Sequence, residues 1–224
     1  MEINNYIIKT NKITVPKKIV MLSDLHNESY DGIVNSVGDV NPDFITVVGD
    51  IVDRHKKTYS RGLGFLSALN RVAPTYFSYG NHEVKFNVLT PDRIEKTGTI
   101  LLDNDYQLNG EIFIGGQTPL ASFNWLNEFE REDGFKLLLC HHPEYYKKYI
   151  KERDIDLVFS GHAHGGQWRP FGVPLFAPGQ GLLPRYTSGC YENRLIVGRG
   201  LSDARMVPRL FNSIEIVVVE LQPK

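Results

Sequence analysis

The stretch Ser160-Gly161-His162-Ala163-His164-Gly165-Gly166-Gln167 follows directly on the apolar run Ile155-Asp156-Leu157-Val158-Phe159. A run of this kind is typical of a buried β-strand, and residues two apart on an extended chain project to the same side. The two histidines would therefore point into one space, while the flanking glycines let the chain turn sharply. Two neutral imidazoles placed in this way are typical of a metal site. A His-x-His pattern on its own, however, is more often a solvated loop or a local hydrogen-bonded pair.

Four other apolar runs of strand length end in residues that can bind metal. These endings are Asp24-Leu25-His26, Gly49-Asp50-Ile51-Val52-Asp53, Gly80-Asn81-His82-Glu83 and His141-His142-Pro143. Helices are predicted over residues 31–40 and 60–71, between the first three strands. Buried strands alternating with helices predict an α/β fold with largely parallel central strands. Ligands of such folds collect beyond the carboxyl ends of the strands, where all five endings would lie.

The rest of the chain predicts shorter elements. Strands are expected at residues 6–8, 12–15, 195–197 and 214–219, a β segment at 101–116 with turns at Asn109-Gly110 and Gly115-Gly116, a short helix at 123–129, and an irregular loop at 168–183. No linker, repeat or low-complexity segment interrupts this order. We therefore expect a single domain of residues 1–224.

Composition narrows the function classes. The 224 residues are 42% hydrophobic and 23% charged with a net charge of −1, so a strong nucleic-acid signal is missing. No apolar run reaches the ~18 residues of a transmembrane helix, and the start of the chain does not resemble a secretory signal. A cytoplasmic location is expected, with peripheral membrane contact as an option. Cys140 and Cys190 are expected to be free thiols.

The chemistry of the candidate ligands indicates transition metals. The seven candidates are Asp24, His26, Asp50, Asn81, His141, His162 and His164. Oxygen and nitrogen ligands without a thiolate suit manganese, iron, zinc, cobalt or nickel better than calcium or magnesium. Seven ligands suit two ions that share a carboxylate, and two ions about 3.5–4 Å apart are suited to in-line displacement at phosphorus. The pattern predicts phosphoester hydrolysis.

Several of these residues allow another interpretation. Asp24 and Asp50 could be helix N-caps, Asn81 could be a turn residue in left-handed conformation, and His141 and His142 compete for one ligand position.

Taken in order, the five endings resemble the five sequence blocks of the calcineurin-like metallophosphoesterases, over nearly the whole chain. The extension Gly165-Gly166-Gln167 and the tail from Gly198 to Pro208-Arg209 are similar to a branch of small bacterial phosphohydrolases, some of which act on lipid-linked pyrophosphates. The resemblance implies a β-sandwich of two mixed sheets flanked by helices, with the metal site at the carboxyl ends of the strands.

The resemblance also implies roles for the site residues. Asp24, His26 and His164 would hold one ion, Asn81, His141 and His162 the other, and Asp50 would bridge them. His82 would donate a proton to the leaving oxygen or stabilise the transition state, and Asp53 would orient His82, with Glu83 supporting the network. His141 is favoured over His142 because the family ligand stands two residues before the proline. The ions would be divalent transition metals, manganese first, with iron, zinc, nickel or cobalt as alternatives.

The implied reaction is cleavage of a phosphodiester or pyrophosphate by a metal-bridging hydroxide, on a phosphorylated small molecule or a lipid-linked substrate. The alternatives are a phosphomonoesterase, including a protein phosphatase, and a catalytically silent scaffold on the same fold. Arg54 matches an arginine that grips phosphate in the phosphoprotein phosphatases, and could equally be a surface residue. His142, Trp168 and Arg169 are further candidates for substrate contact. Trp168 and Arg169 would form an aromatic and basic wall, or an apolar plug over the sheet edge, together with Phe171, Phe176 and Arg185. The sequence leaves the oligomeric state open.

Overall fold

Two six-stranded mixed sheets make up most of the protein, whose computed structural model describes residues 1–56, 58–86, 89–202 and 209–224. The strands of the first sheet are β1 (Glu2–Thr10), β2 (Lys17–Leu22), β3 (Phe44–Val48), β4 (Thr75–Ser78), β5 (Ile100–Leu102) and β14 (Glu215–Pro223). Their order across the sheet is β1-β14-β2-β3-β4-β5, and β2, β3 and β4 are parallel neighbours.

The second sheet is built from the later part of the chain. Its strands are β6 (Asp105–Asn109), β7 (Ile112–Gln117), β8 (Phe135–Cys140), β9 (Leu157–Ser160), β12 (Gly189–Tyr191) and β13 (Leu195–Val197). They are ordered β12-β13-β9-β8-β7-β6, with β7, β8, β9 and β13 parallel. A two-stranded hairpin of β10 (Phe176–Ala177) and β11 (Gly181–Leu182) stands apart from both sheets.

The helices are few and short. They are α1 (Ile33–Val40), α2 (Ser60–Asn70), α3 (Asn81–Phe86), α4 (Pro91–Glu95) and α5 (Leu126–Phe129), with a π-helical turn at Tyr146–Ile150 and 3-10 turns at His164–Gly166 and Pro170–Gly172. Within the described ranges, no helix is long and apolar enough to cross a membrane. The predicted fold class, a sandwich of two mixed sheets flanked by helices, is confirmed.

The core lies between the two sheets. Phe44 and Val48 from the first sheet pack in one fully buried cluster with Leu137 and Phe159 from the second. Burying an apolar side chain of this size contributes roughly 1.5–3 kcal/mol. A second cluster, which includes Phe65, joins α1 and α2 to the outer face of the first sheet. This packing aligns the two sheets so that the parallel strands that carry the sequence blocks end on the same side.

Three local predictions are wrong. Residues 168–183, expected to be an irregular loop, contain the β10–β11 hairpin and the 3-10 turn at Pro170–Gly172. Residues 12–15 form no strand, because the Thr14 N–H donates to the Glu111 carboxylate at 2.8 Å instead of to a neighbouring strand. Gly115 and Gly116 lie inside β7 and make no turn. A Cβ at Gly115 would lie 2.9 Å from the Trp125 ring, and one at Gly116 would collide with the carbonyl of Leu102. These glycines therefore serve close packing.

The two short helices α3 and α4 were not predicted. Each has about one turn, too short for an apolar period to show. The predicted turn at Asn109-Gly110 is present, between β6 and β7. In the tail motif, Pro208 lies outside the described residues, whereas Arg209 lies within them.

Candidate metal centre

All five sequence blocks meet at the carboxyl edge shared by the two sheets. The loops after β2, β3 and β4 bring Asp24, His26, Asp50 and Asn81 from the first sheet, and the loops after β8 and β9 bring His141, His162 and His164 from the second. The described residues include four groups of three in which one ligand atom from each residue lies within 4.8 Å of the others. Two of these groups are Asp24, His26 and His164, and Asp50, His141 and His162. They are the two sets that the family resemblance implies, apart from Asn81.

The first group surrounds the carboxylate of Asp24. Its Oδ1 lies 3.5 Å from Nε2 of His164 and 3.8 Å from Nε2 of His26, and the two Nε2 atoms are 3.3 Å apart. The other carboxylate oxygen, Oδ2, accepts hydrogen bonds from Ser23 Oγ at 2.6 Å and from the backbone N–H of His162 at 3.1 Å. Those bonds fix the carboxylate, so that Oδ1 faces the two imidazoles.

The second group surrounds the carboxylate of Asp50. Oδ2 of Asp50 lies 3.1 Å from Nε2 of His141, which is fully buried. Nδ1 of the same ring is 2.7 Å from the carbonyl of Val48, which assigns a proton to Nδ1 and leaves Nε2 facing the Asp50 carboxylate. Oδ1 of Asp50 accepts the backbone N–H of His82 at 2.7 Å.

Asp50 also belongs to a third group, with His26 and His82, whose ligand atoms again lie within 4.8 Å of one another. Its carboxylate therefore stands between His26 of the first group and His141 of the second. A single carboxylate within reach of both groups is the arrangement that two neighbouring ions share.

The backbone at these positions is strained. Five of the seven candidate ligands have positive φ angles, between 46° and 64°, and none of them is glycine: Asp24, His26, Asp50, His162 and His164. A left-handed conformation is unfavourable for side chains of this kind and persists where surrounding contacts impose it. The turns after the strands thus direct the side chains toward one another at a cost in backbone energy.

Glycines in the blocks allow the close approach. A Cβ at Gly161 would lie 2.6 Å from Oδ2 of Asp24, and one at Gly80 would collide with Oδ1 of Asp50. Because any larger residue would displace a candidate ligand, glycine is required at both positions.

The donors fit a pair of divalent transition metals. Burial lowers the pKa of His26 to about 4 and that of His164 to about 3, so both rings are neutral and keep a lone pair. Burial also holds the pKa of His162 well below its ordinary value. Oδ1 of Asn81 is buried without a hydrogen-bond partner, and Nε2 of His141 lies 3.1 Å from the Asp50 carboxylate. Buried ligand atoms beside two carboxylates are typical of a metal site.

The electrostatic environment of Asp50 also favours a bound cation. Burial alone would raise the pKa of Asp50, but the charge of His141 and a hydrogen bond from it hold this pKa well below its usual range. Burial would lower the pKa of His141, and the Asp50 carboxylate raises it to about 10. The buried carboxylate thus requires a positive charge beside it. A bound cation can take the place of that proton, as metal binding generally does.

The His82 ring lies at the edge of the centre, with its centroid 4.6 Å from that of His26. Its Nδ1 accepts the backbone N–H of Arg54 at 3.2 Å, and its Nε2 lies 3.9 Å from Oδ2 of Asp50. This bond makes Nδ1 an acceptor and assigns the proton of the neutral ring to Nε2. Oδ1 of Asp53 is 3.6 Å from Nδ1, beyond hydrogen-bond range, and accepts the N–H of His55 instead. Asp53 thus helps to hold the turn on which Arg54 meets His82.

Glu83 holds two of the metal-centre loops together. Its buried carboxylate accepts three backbone N–H groups, from Gly80 at 2.7 Å, Asp50 at 2.8 Å and Val52 at 3.1 Å. Burial, and then the charge of Asp50, raise the pKa of Glu83 to about 7. The sequence indicated only a supporting role for this residue, and the structure identifies the two loops that it joins.

We expect Glu83→Gln to destabilise the protein. Glutamine keeps one acceptor oxygen but turns an NH2 group toward backbone N–H donors, which leaves at least one of them buried without a partner. The cost should be about 1–3 kcal/mol in the free energy of unfolding. Urea denaturation of the metal-free protein measures this cost, with Glu95→Gln on α4 as the control. Equal stability of the two variants would contradict the role given to Glu83.

The structure separates His141 from His142. His141 belongs to the second group, whereas Nδ1 of His142 is 2.8 Å from Oε1 of Glu144 and its ring packs on His162 with centroids 4.0 Å apart. His142 belongs to another group of possible ligand atoms, with Glu144 and His162, which includes neither Asp24 nor Asp50. The geometry therefore favours His141 as the ligand and places His142 behind His162.

The alternative interpretations as caps and turns are not supported. Neither Asp24 nor Asp50 precedes a helix, since the residues at the N-caps of α1 and α2 are Gly32 and Tyr59. Asn81 is the first residue of α3 and does not have a positive φ.

Sequence reasoning missed the polar residues that support the His164 loop. Ser202 Oγ donates to the carbonyl of Asp24 at 2.8 Å, and its own carbonyl lies 3.4 Å from Nδ1 of His164. Arg209 Nε donates to the same carbonyl at 3.0 Å, and Asn212 donates to the carbonyl of His164 at 2.7 Å. A signal did exist, because Ser202 follows β13, which runs parallel to β9 and ends at the same edge.

A cleft of about 1080 Å³ opens over the centre. Its lining includes four basic or imidazole side chains, Arg54, His55, Lys56 and Lys85, and also Pro178, Leu201 and Ser202. Lys56 is paired with Glu28, while Arg54 and Lys85 are exposed. The cleft is therefore suited to an anionic ligand.

Trp168 and Arg169 do not line the cleft. The guanidinium of Arg169 donates to the carbonyl of Gly165 at 2.8 Å and to Ser188 Oγ at 2.9 Å. These contacts bind Arg169 into the loop, so that substrate contact by either residue stays a prediction.

Comparison with known proteins agrees with this geometry. The family described as Calcineurin-like phosphoesterase matches residues 17–166. The chain is 30% identical to an uncharacterized metallophosphoesterase of Campylobacter jejuni, over 97% of this chain and 63% of that protein. It is 28% identical to the metallophosphoesterase YkuE of Bacillus subtilis, over 92% of this chain and 79% of that protein.

A solved structure supports the fold. TT1561 of Thermus thermophilus superposes with a TM-score of 0.53 and 15% identity, over 66% of this chain and 82% of that one. At this identity the likeness concerns the fold alone.

Proposed function

Because this chain belongs to the calcineurin-like phosphoesterases, we propose that it hydrolyses phosphodiester or pyrophosphate bonds with two divalent metal ions. The position of Asp50, within reach of both ligand groups, carries the proposal. Asp24, His26 and His164 would hold one ion and Asn81, His141 and His162 the other, with Asp50 shared. We further propose that residues 1–224 act as one domain and that manganese is the preferred metal. The cytoplasmic location expected from the sequence stays a prediction.

When bound, the ions would supply a water of lowered pKa and positive charge for the phosphate oxygens. The chain itself supplies orientation and a hydrogen-bond donor. Nδ1 of His82 accepts the N–H of Arg54, so the ring is neutral, and its Nε2–H can donate a hydrogen bond that stabilises charge developing on the leaving oxygen. Arg54 and Lys85 place positive charge at the mouth of the cleft, where a phosphate enters.

One alternative has an observation in its favour. Arg54 is exposed and lines the cleft, with its Nε bonded to His55. A guanidinium in that place could bind the terminal oxygens of a phosphomonoester.

We expect the protein, stripped of metal and reloaded with manganese, to bind about two ions per chain and to hydrolyse bis(p-nitrophenyl) phosphate faster than p-nitrophenyl phosphate. Metal content and the two kcat/KM values are measured on the same preparation. A preference for the monoester would assign the phosphomonoesterase alternative and a role for Arg54. Failure to bind metal, in a protein of normal stability, would refute the proposal in favour of a silent scaffold.

A further inference from the structure

A group of exposed apolar side chains lies beside the cleft. We call it the apolar loop cluster; it comprises Phe171, Phe176, Leu182, Leu183, Leu210 and Phe211. The exposed fractions of Phe171, Leu182 and Phe211 are 103%, 81% and 84%. Six of the fourteen large apolar side chains exposed in the described ranges are therefore gathered here, and a concentration of this kind indicates an interaction surface.

The cluster is one structural unit. Its segments are joined by the β10–β11 hairpin, which pairs Phe176 with Leu182, by the bond from Leu183 N to the carbonyl of Leu175 at 3.0 Å, and by the bridge between Trp168 and Leu210. The apolar side chains are thus held on a common framework.

Three members are strained as well as exposed. Phe171, Leu183 and Phe211 have φ angles of 53°, 50° and 55°. Bulky side chains rarely adopt this conformation. Exposing these strained side chains to water does not stabilise the fold. This indicates that they contact another molecule.

The cluster is continuous with the candidate metal centre. Pro178, in the turn of the hairpin, lines the cleft. Leu210 N donates to the carbonyl of Gln167 at 3.2 Å, and Asn212 donates to the carbonyl of His164. A surface that receives the cluster would therefore face the mouth of the cleft.

The flanking charge indicates which surface this is. Arg54 and Lys85 are exposed and line the cleft to which Pro178 of the hairpin also belongs. Arg185, two residues after Leu183, is 62% exposed and lies 3.9 Å from Glu192. Projecting apolar side chains beside cationic ones are suited to an anionic lipid surface, where the former enter the interface and the latter meet the head groups. Two copies meeting through this face would instead bring like charges together.

We propose that the apolar loop cluster docks the protein on an anionic lipid bilayer and presents the cleft to a phosphate ester or pyrophosphate carried by a lipid. The choice of a lipid substrate rests on the proposed function, whereas the docking does not.

The test is co-sedimentation of the metal-loaded full chain with vesicles. One set contains phosphatidylcholine alone, and the other contains equal parts of phosphatidylcholine and phosphatidylglycerol. The test variant is Phe171→Asn with Phe211→Asn, because asparagine tolerates positive φ and the substitutions should leave thermal stability unchanged or raise it. Leu108→Ser, on β6 and 58% exposed in the wild type, is the matched control.

Wild type and Leu108→Ser should bind the mixed vesicles, more weakly at high salt, whereas the double variant should bind at least about tenfold more weakly. All three should hydrolyse bis(p-nitrophenyl) phosphate equally. Wild type that stays in the supernatant, or a double variant that binds as well as wild type, would overturn the docking. Self-association that the double variant loses, without vesicle binding, would assign the cluster to a second copy. Vesicle binding that depends on the cluster, without hydrolysis of any ester, would refute the proposed function and leave the docking in place.

Discussion

Asp50→Asn should abolish stable metal binding and, with it, phosphoester hydrolysis. The Asp50 carboxylate forms one ligand group with His141 and His162 and another with His26, so its charge would be shared by two ions. Asparagine keeps an oxygen for the N–H of His82 but removes this charge. Loss of a hydrogen-bond partner of a ligand already weakens metal affinity by about 10–100-fold. Loss of the shared carboxylate should exceed that range.

Metal content after gel filtration and manganese titration of kcat measure this effect. Asp39→Asn, at an exposed position on α1, is the matched control and should behave as wild type. Circular dichroism should show the same fold in both. An Asp50→Asn protein with two ions and ordinary turnover would remove the central support for a dinuclear site.

His82→Ala should have the opposite signature, with both ions retained and kcat lowered by roughly 10²–10³-fold, the range for a lost hydrogen-bond donor to the transition state. The ring lies at the edge of the centre, and its Nδ1 accepts the N–H of Arg54. Its removal therefore takes away the Nε2 hydrogen-bond donor and leaves the two ligand groups intact.

The control is His55→Ala, which removes an exposed imidazole whose ring is 6.4 Å from that of His82. That variant should keep most of the activity. The defect of His82→Ala should also shrink for substrates with a good leaving group such as p-nitrophenolate, whose oxygen needs little stabilisation. A uniform defect for good and poor leaving groups would refute the hydrogen bond from His82 to the leaving oxygen, and loss of metal would make His82 a ligand.

The sequence predicted the candidate ligands better than the residues that hold their loops in place. Each candidate ligand follows a buried strand, and parallel strands carry the groups at their carboxyl ends to one edge, so local pattern was enough to gather Asp24, Asp50 and His162. The fold class and the family followed from the same order of blocks. The family resemblance already favoured His141 over His142, and the structure adds that His141 is fully buried beside Asp50 whereas His142 contacts Glu144.

Contacts between distant segments could not be read locally. Nothing near Ser202 or Asn212 in the chain shows that they bond to the backbone of Asp24 and His164. Gly115 and Gly116 resemble a turn until the Trp125 ring and the Leu102 carbonyl are placed against them. The positive φ angles of Phe171 and Phe211 likewise could not be predicted from the sequence, because bulky residues normally have negative φ.

The position of β14 ties formation of the centre to the order of synthesis. This strand is made after all the other strands described, yet it lies inside the first sheet between β1 and β2. Ile214, directly before this strand, lines the cleft. The first residue of the strand, Glu215, donates its N–H to the carbonyl of Gly200, and the neighbouring Leu201 donates its N–H to the carbonyl of Ser23. During synthesis, β1 and β2 therefore cannot pair with β14 until residues 215–223 have left the ribosome. A nascent chain stopped before that point would carry every candidate ligand but lack the strand that joins β1 to β2, so the candidate metal centre should form only once synthesis has passed β14.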